Sequence, residues 1–173
     1  MCVRNRQTTR RVKAQLLQRI ARTLISELLP KQYFELGISL VREAEMRQLN
    51  EDYMGHKGTT DVIALDYCVS DPRTLIGEIF VCVDEACVQA KRFHTTWQSE
   101  VVRYLVHGVL HLSGYDDRRV KDRRRMREAE DGLVAELGRR FRFSELGSGR
   151  KSEGRRSKTE KRAKVEGRTR VRQ

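Results

Sequence analysis

The chain has 173 residues, enough for one domain with a real core. Its formal net charge of +12 favours polyanionic partners. No run approaches the ~20 apolar residues of a membrane span, and the polar, basic first residues lack a signal-peptide segment, so a cytoplasmic protein with reduced thiols is expected.

Residues 10–29 have helical periodicity, with Val12, Leu16, Ile20, Leu24 and Leu28 near one face and Leu17 and Ala21 beside them. Pro30 ends that element. Residues 37–41 alternate like a short strand. Residues 43–53 read as a helix with Met46, Leu49 and Tyr53 inward. Residues 55–60 are a loop and residues 61–66 a strand, with a turn expected around Asp71 and Pro72. Residues 75–83 form a strong strand. Ile79, Val81 and Val83 share one face and Ile76, Phe80 and Cys82 lie near the other, so the strand belongs inside a sheet. Asp84 is placed as the N-cap of a helix reaching about Phe93, and Ser99 as the cap of a long apolar helix. A last amphipathic helix spans roughly 118–140, with Met126, Ala129, Leu133 and Leu137 as its buried stripe.

Helices precede, interrupt and follow the strands. The pattern predicts an α+β fold: one compact domain over residues 1–143, with helices packed on a small mixed sheet. Cys2, Cys68, Cys82 and Cys87 form no C-x-x-C pair and read as small core hydrophobes. Residues 144–173 carry eleven Lys/Arg against four Asp/Glu and no aromatic residue, so they are expected to be a disordered basic tail. Such a tail suits RNA, or serves solubility alone.

The chemistry concentrates in the long apolar helix. His107 and His111 are four residues apart and stack on one helix face. Gly114 is a natural helix stop, and a chain turning back there can bring Asp117 over the same face. Two imidazoles and a carboxylate can hold one metal ion with a position open, as in catalytic zinc sites. The packed-core reading of the two histidines stands beside this one.

Three ordered motifs resemble the YbeY family of bacterial rRNA maturation factors, which are metal-dependent endoribonucleases. The family pattern H-G-x-L-H-L-x-G-Y-D-H is similar to His107-Gly-Val-Leu-His-Leu-Ser-Gly-Tyr-Asp-Asp117. Leu49-Asn50-Glu-Asp-Tyr53-Met54 followed by Thr60-Asp61-Val62-Ile63-Ala64-Leu65 matches a second stretch, and Gly77-Glu78-Ile79 a third. The resemblance covers about residues 36–137. It implies a metal-binding helix in the core of the α+β domain, with zinc held by His107, His111 and Asp117. It also implies cleavage of single-stranded RNA in small-subunit rRNA maturation and ribosome quality control, with rRNA and the small ribosomal subunit as partners.

Two positions depart from the family pattern. Asp117 replaces the usual third histidine, which lowers the charge of the site by one unit, and Asp116 is a fallback ligand or an acceptor orienting a histidine. Met54 stands where the family has an arginine, a natural phosphate clamp. Lys57 and Arg103 are the RNA-binding candidates, with His56 beside them, and Asp61 is expected to accept backbone hydrogen bonds at its turn. Two rivals remain. A metalloprotease needs H-E-x-x-H, and Gly108 occupies the glutamate's place. A non-catalytic rRNA-binding assembly factor with a structural metal fits the basic surface.

Overall fold

The computed structural model describes residues 1–29, 32–67 and 73–147. Two nine-residue strands, β2 (Tyr33–Val41) and β4 (Thr74–Cys82), run parallel from Tyr33 opposite Thr74 to Val41 opposite Cys82. β1 (Cys2–Asn5) adds in parallel to β2, and β3 (Val62–Asp66) pairs antiparallel with β4. The order β1-β2-β4-β3 makes a mixed four-stranded sheet with β4 inside, as its doubly apolar sequence requires. Ile79 and Val81 of β4 enter the main core. Phe80 and Cys82, on the other face, join Val41, Ile63 and Met46 in a smaller cluster.

Among the described residues five α-helices complete a single α+β domain: α1 (Ala14–Thr23), α2 (Glu43–Met54), α3 (Val83–Arg92), α4 (Trp97–Leu112) and α5 (Val120–Arg140). Helix α4 packs on β3, β4, α3 and α5. Ten of its 16 residues are buried, so it is a core helix. Between Val101 and Leu112 the half-buried positions are Arg103, His107 and His111, four apart, which form one polar line down an otherwise sealed helix. Gly108 lets that helix settle onto the sheet: a Cβ there would lie 2.9 Å from Ile79 Cγ2 and 3.2 Å from Val62 Cγ2. No described helix is long and apolar enough to cross a membrane.

Several elements differ from the sequence reading. The first helix is rotated: Leu17, Ile20, Ala21, Leu24 and Ile25 are buried, whereas Leu16 and Leu28 are half-buried. Its regular part ends at Thr23 and continues as a wider π-turn over Leu24–Leu28, which realigns the apolar side chains toward the core. Val12 lies outside the helix, bridged to Gly147. Tyr53 points to solvent. Asp84 sits in the first turn of α3, where Cys82 is the cap. Its carboxylate accepts from Thr9 Oγ1 and from the Glu43 amide at 2.8 Å, tying the N-terminal segment to α2. The cap of α4 is Thr96, whose Oγ1 accepts from the Ser99 amide at 3.2 Å, three residues before the expected boundary. β1 has no counterpart in the sequence reading, because four residues with two charged or amide side chains carry too little periodicity to signal a strand.

The domain also runs past residue 143. A 3₁₀ turn, Phe143–Leu146, puts Leu146 wholly into the core, and the Lys13 amide donates to the Leu146 carbonyl at 2.9 Å. Residues 144–147 therefore pack with the domain although their composition resembles the tail. Pro30, Cys68, the turn at Asp71 and Pro72, and the tail from residue 148 lie outside the described residues. Cys2, Cys82 and Cys87 are free thiols; Cys82 is a core residue as expected, Cys87 is half-buried, and Cys2 is exposed on the short strand β1.

Candidate metal centre

The end of α4 is shaped by Gly114, at φ +89°, a left-handed conformation that costs glycine little. The Gly114 amide donates to the His111 carbonyl and the Tyr115 amide to the Leu110 carbonyl, the paired bonds of a Schellman stop. This reversal carries residues 115–117 back over the polar line of the helix. Donor atoms of His107, His111 and Asp117 consequently lie within 4.8 Å of one another, each residue half-buried.

The ring orientations are set by what each Nδ1 touches. His107 Nδ1 faces Glu130 Oε2 of α5 at 2.8 Å, and His111 Nδ1 faces the Tyr115 carbonyl at 3.2 Å. Both acceptors favour Nδ1–H, which turns the two Nε2 atoms toward each other at 3.1 Å. In a tetrahedral site with bonds near 2.0–2.1 Å, two nitrogen ligands stand about 3.3 Å apart, so this pair fits a single ion. Asp117 could add a hard oxygen donor to the two nitrogens. The donor set and its spacing fit a divalent transition metal.

Electrostatics separate the two rings. Burial opposes charging of His107, but the hydrogen bond and charge of Glu130 outweigh it and raise its pKa above the ordinary imidazole value. Burial, and then the neighbouring His107, lower that of His111. Glu130 is itself buried. Desolvation works against its ionisation, yet hydrogen bonds from His107 and Arg103 prevail and hold the carboxyl below its usual range. The sequence reading missed Glu130. Its signal was a charge at the centre of a buried stripe, between Met126 and Val134 at four-residue spacing.

Arg103 is drawn into this network. Its Nη1 meets Glu130 Oε1 and reaches Asp131 Oδ1 at 2.7 Å. It is thus a clamp on Glu130 before it is a cation available to RNA. Lys57 is exposed on the 55–60 loop and does not line the cleft beside the histidines. Met54 and His56 are exposed as well. Asp116 turns away: the Arg118 amide and Nε donate to its Oδ1 at 3.1 and 3.3 Å, so it neither joins the donor group nor orients a histidine. Asp61 Oδ1 accepts from the Val62 amide at 2.9 Å, the structural bond expected of it. His107 and Asp117 open onto a cleft of about 740 Å³ between α3, α4 and α5.

Fold and site together define a small single-domain α+β protein whose core helix and following turn bring together a His-His-Asp group, spaced for a metal ion, with His107 and Asp117 at the wall of an open cleft. A family model described as Endoribonuclease YbeY matches residues 2–138, and the chain belongs to that family. It is 40% identical over 93 residues to the Endoribonuclease YbeY of Chlorobium luteolum, covering 54% of this chain and 66% of that one. With the Endoribonuclease YbeY of Finegoldia magna it shares 37% identity over 117 residues, 66% of this chain and 76% of the relative. The solution structure of TM1509 from Thermotoga maritima has the same fold, with a TM-score of 0.58 at 24% identity over 88% of this chain and 99% of that one.

Proposed function

We propose that this protein is a zinc-dependent endoribonuclease that cleaves single-stranded RNA, acting in the cytoplasm on rRNA of the small ribosomal subunit during maturation and quality control. The observation that carries this reading is the pair of facing Nε2 atoms beside Asp117 at the wall of an open cleft. His107, His111 and Asp117 would hold the ion, and a divalent cation there supplies Lewis-acid assistance to phosphodiester cleavage. Glu130 and the Tyr115 carbonyl keep both rings in the tautomer that presents Nε2. Gly108 places no carboxylate beside the first histidine, so the chain lacks the base a zinc peptidase of the H-E-x-x-H type uses. The basic surface holds the RNA backbone independently of sequence, and Lys57 is a peripheral contact in that surface.

The test loads purified full-length protein with zinc and measures metal content and cleavage of single-stranded RNA. Wild type should hold about one zinc per chain and cleave. His111→Ala and Asp117→Ala should lose metal and cleavage while still binding RNA. Unchanged metal content in Asp117→Ala removes that residue from the ligand set. RNA binding without cleavage at any divalent metal rejects the nuclease and favours the assembly factor, whose support is the cation-rich start of α5.

A further inference from the structure

We propose that Arg123 and Arg127, one turn apart on α5, are the phosphate-positioning pair of the cleft; this rests on the nuclease reading above. The cleft that holds His107 and Asp117 is lined by three guanidinium groups, those of Arg103, Arg123 and Arg127. Arg103 is neutralised by Glu130 and Asp131. The other two meet no carboxylate among the described residues. Arg123 is held at one point: its Nε donates to the Asp117 carbonyl at 3.0 Å, which leaves both Nη groups for an anion and ties the guanidinium to the turn bearing the third donor. Arg127 makes no ion pair among the described residues, although Arg124 on the same helix is taken by Glu128 and Arg118 before it by Asp116.

Charge in the rest of the cleft narrows what the pair can do. Around the Tyr104 hydroxyl it collects Asp61, Glu85 and Glu100, which repel a phosphate. Among the described residues, an RNA strand entering the cleft therefore finds unpaired guanidinium groups only on the α5 wall, next to Asp117. The planar fork of arginine suits two phosphate oxygens at once. The pair would also offset the negative charge that Asp117 and Glu130 bring to the site, and hold the backbone in register with the metal group.

The experiment measures steady-state cleavage of a fluorescent single-stranded RNA by the zinc-loaded full chain, with metal content and the salt dependence of RNA binding as separate readouts. Arg127→Ala and Arg123→Ala should each lower kcat/KM by about 10- to 100-fold, keep wild-type metal content, and reduce the slope of log affinity against log salt by about one. Arg127→Lys should recover part of the loss, as a point charge without the fork. Arg139→Ala, on the far end of α5, is the neutral control. If wild type cleaves and either cleft arginine can be removed within twofold of its kcat/KM, the pair is rejected and the nuclease stands. Loss of metal in either variant also overturns it, since the guanidinium would then be holding the turn. If metal-loaded wild type does not cleave RNA, both readings fall together.

Discussion

Glu130 is the residue on which the site's geometry turns. It receives Arg103 on one oxygen and His107 on the other, and is nearly sealed from solvent. Glu130→Gln should keep the shape but lose the charge, lowering metal affinity about 10- to 100-fold, as loss of a ligand-orienting partner typically does. Isothermal titration with zinc checks this; equal affinity would mean that the ring needs no such support. The pH dependence follows with its sign. The folded carboxyl titrates below the ordinary 4.5, so its stabilisation is present above that value and is lost as pH falls through the depressed one. His107 titrates above the ordinary 6.5, so its contribution is complete below that value and is lost as pH rises through the raised one. Metal-free protein should thus gain most from the pair between about pH 4.5 and 6.5. His111, whose pKa is lowered by burial and then by the neighbouring His107, works in the opposite sense. The difference in melting temperature between wild type and Glu130→Gln, which removes the charge that both His107 and Arg103 meet, should be largest in that window. The two histidines and Asp117 are legible in the sequence, because four-residue spacing and a glycine stop are local signals. Glu130 is separated from His107 by 23 residues and a turn, and only the packing of α5 on α4 brings them together.

At the scale of elements, two glycines on neighbouring helices should respond oppositely to the same substitution. Gly108 faces the sheet, and a methyl there meets Cγ2 of Ile79, a branched stub fully buried in β4 that has nowhere to move. The gain in helix propensity is about 1 kcal/mol, while overpacking a core costs about 1–3 kcal/mol, so Gly108→Ala should be destabilising on balance. It should also push α4 off the sheet and disturb the histidines it carries. Gly132, exposed on α5, has nothing within 4 Å of a Cβ, and Gly132→Ala should stabilise by about 0.5–1 kcal/mol. Chemical denaturation of both variants decides. A stabilising Gly108→Ala would show that helix and sheet are not held at this distance. Elements long enough to show a period, such as β4, α4 and α5, are legible in the sequence, and so is the interior place of β4. The π-turn after α1 is not, because its extra residue per turn is chosen by the core it faces. The cap at Thr96 is hidden for a similar reason: Ser99 is, if anything, the better cap residue in sequence, and the extended backbone of Thr96 decides between them.

For the whole molecule, the division between folded domain and basic tail can be placed by where burial stops. By composition, Leu146 belongs to a stretch of glycine, serine and charge. In the fold it is fully buried, its carbonyl takes the Lys13 amide, and Gly147 bridges Val12, so the 143–147 segment closes over the first helix. A chain ending at residue 143 loses that closure and should be less stable by about 2–4 kcal/mol, the cost of removing a buried leucine from a packed core. One ending at 147 should match the full chain in its denaturation midpoint. Residues 148–173 hold eleven Lys/Arg against three Asp/Glu, so the same truncation removes much of the positive charge. If that charge meets RNA, the 1–147 protein should bind RNA more weakly and with a flatter dependence on salt, because fewer counterions are released. Its zinc content and its dependence on Arg127 should be unchanged, since both belong to the cleft. An identical salt slope in the two proteins would confine RNA contact to the domain, with the start of α5 as its principal cationic surface.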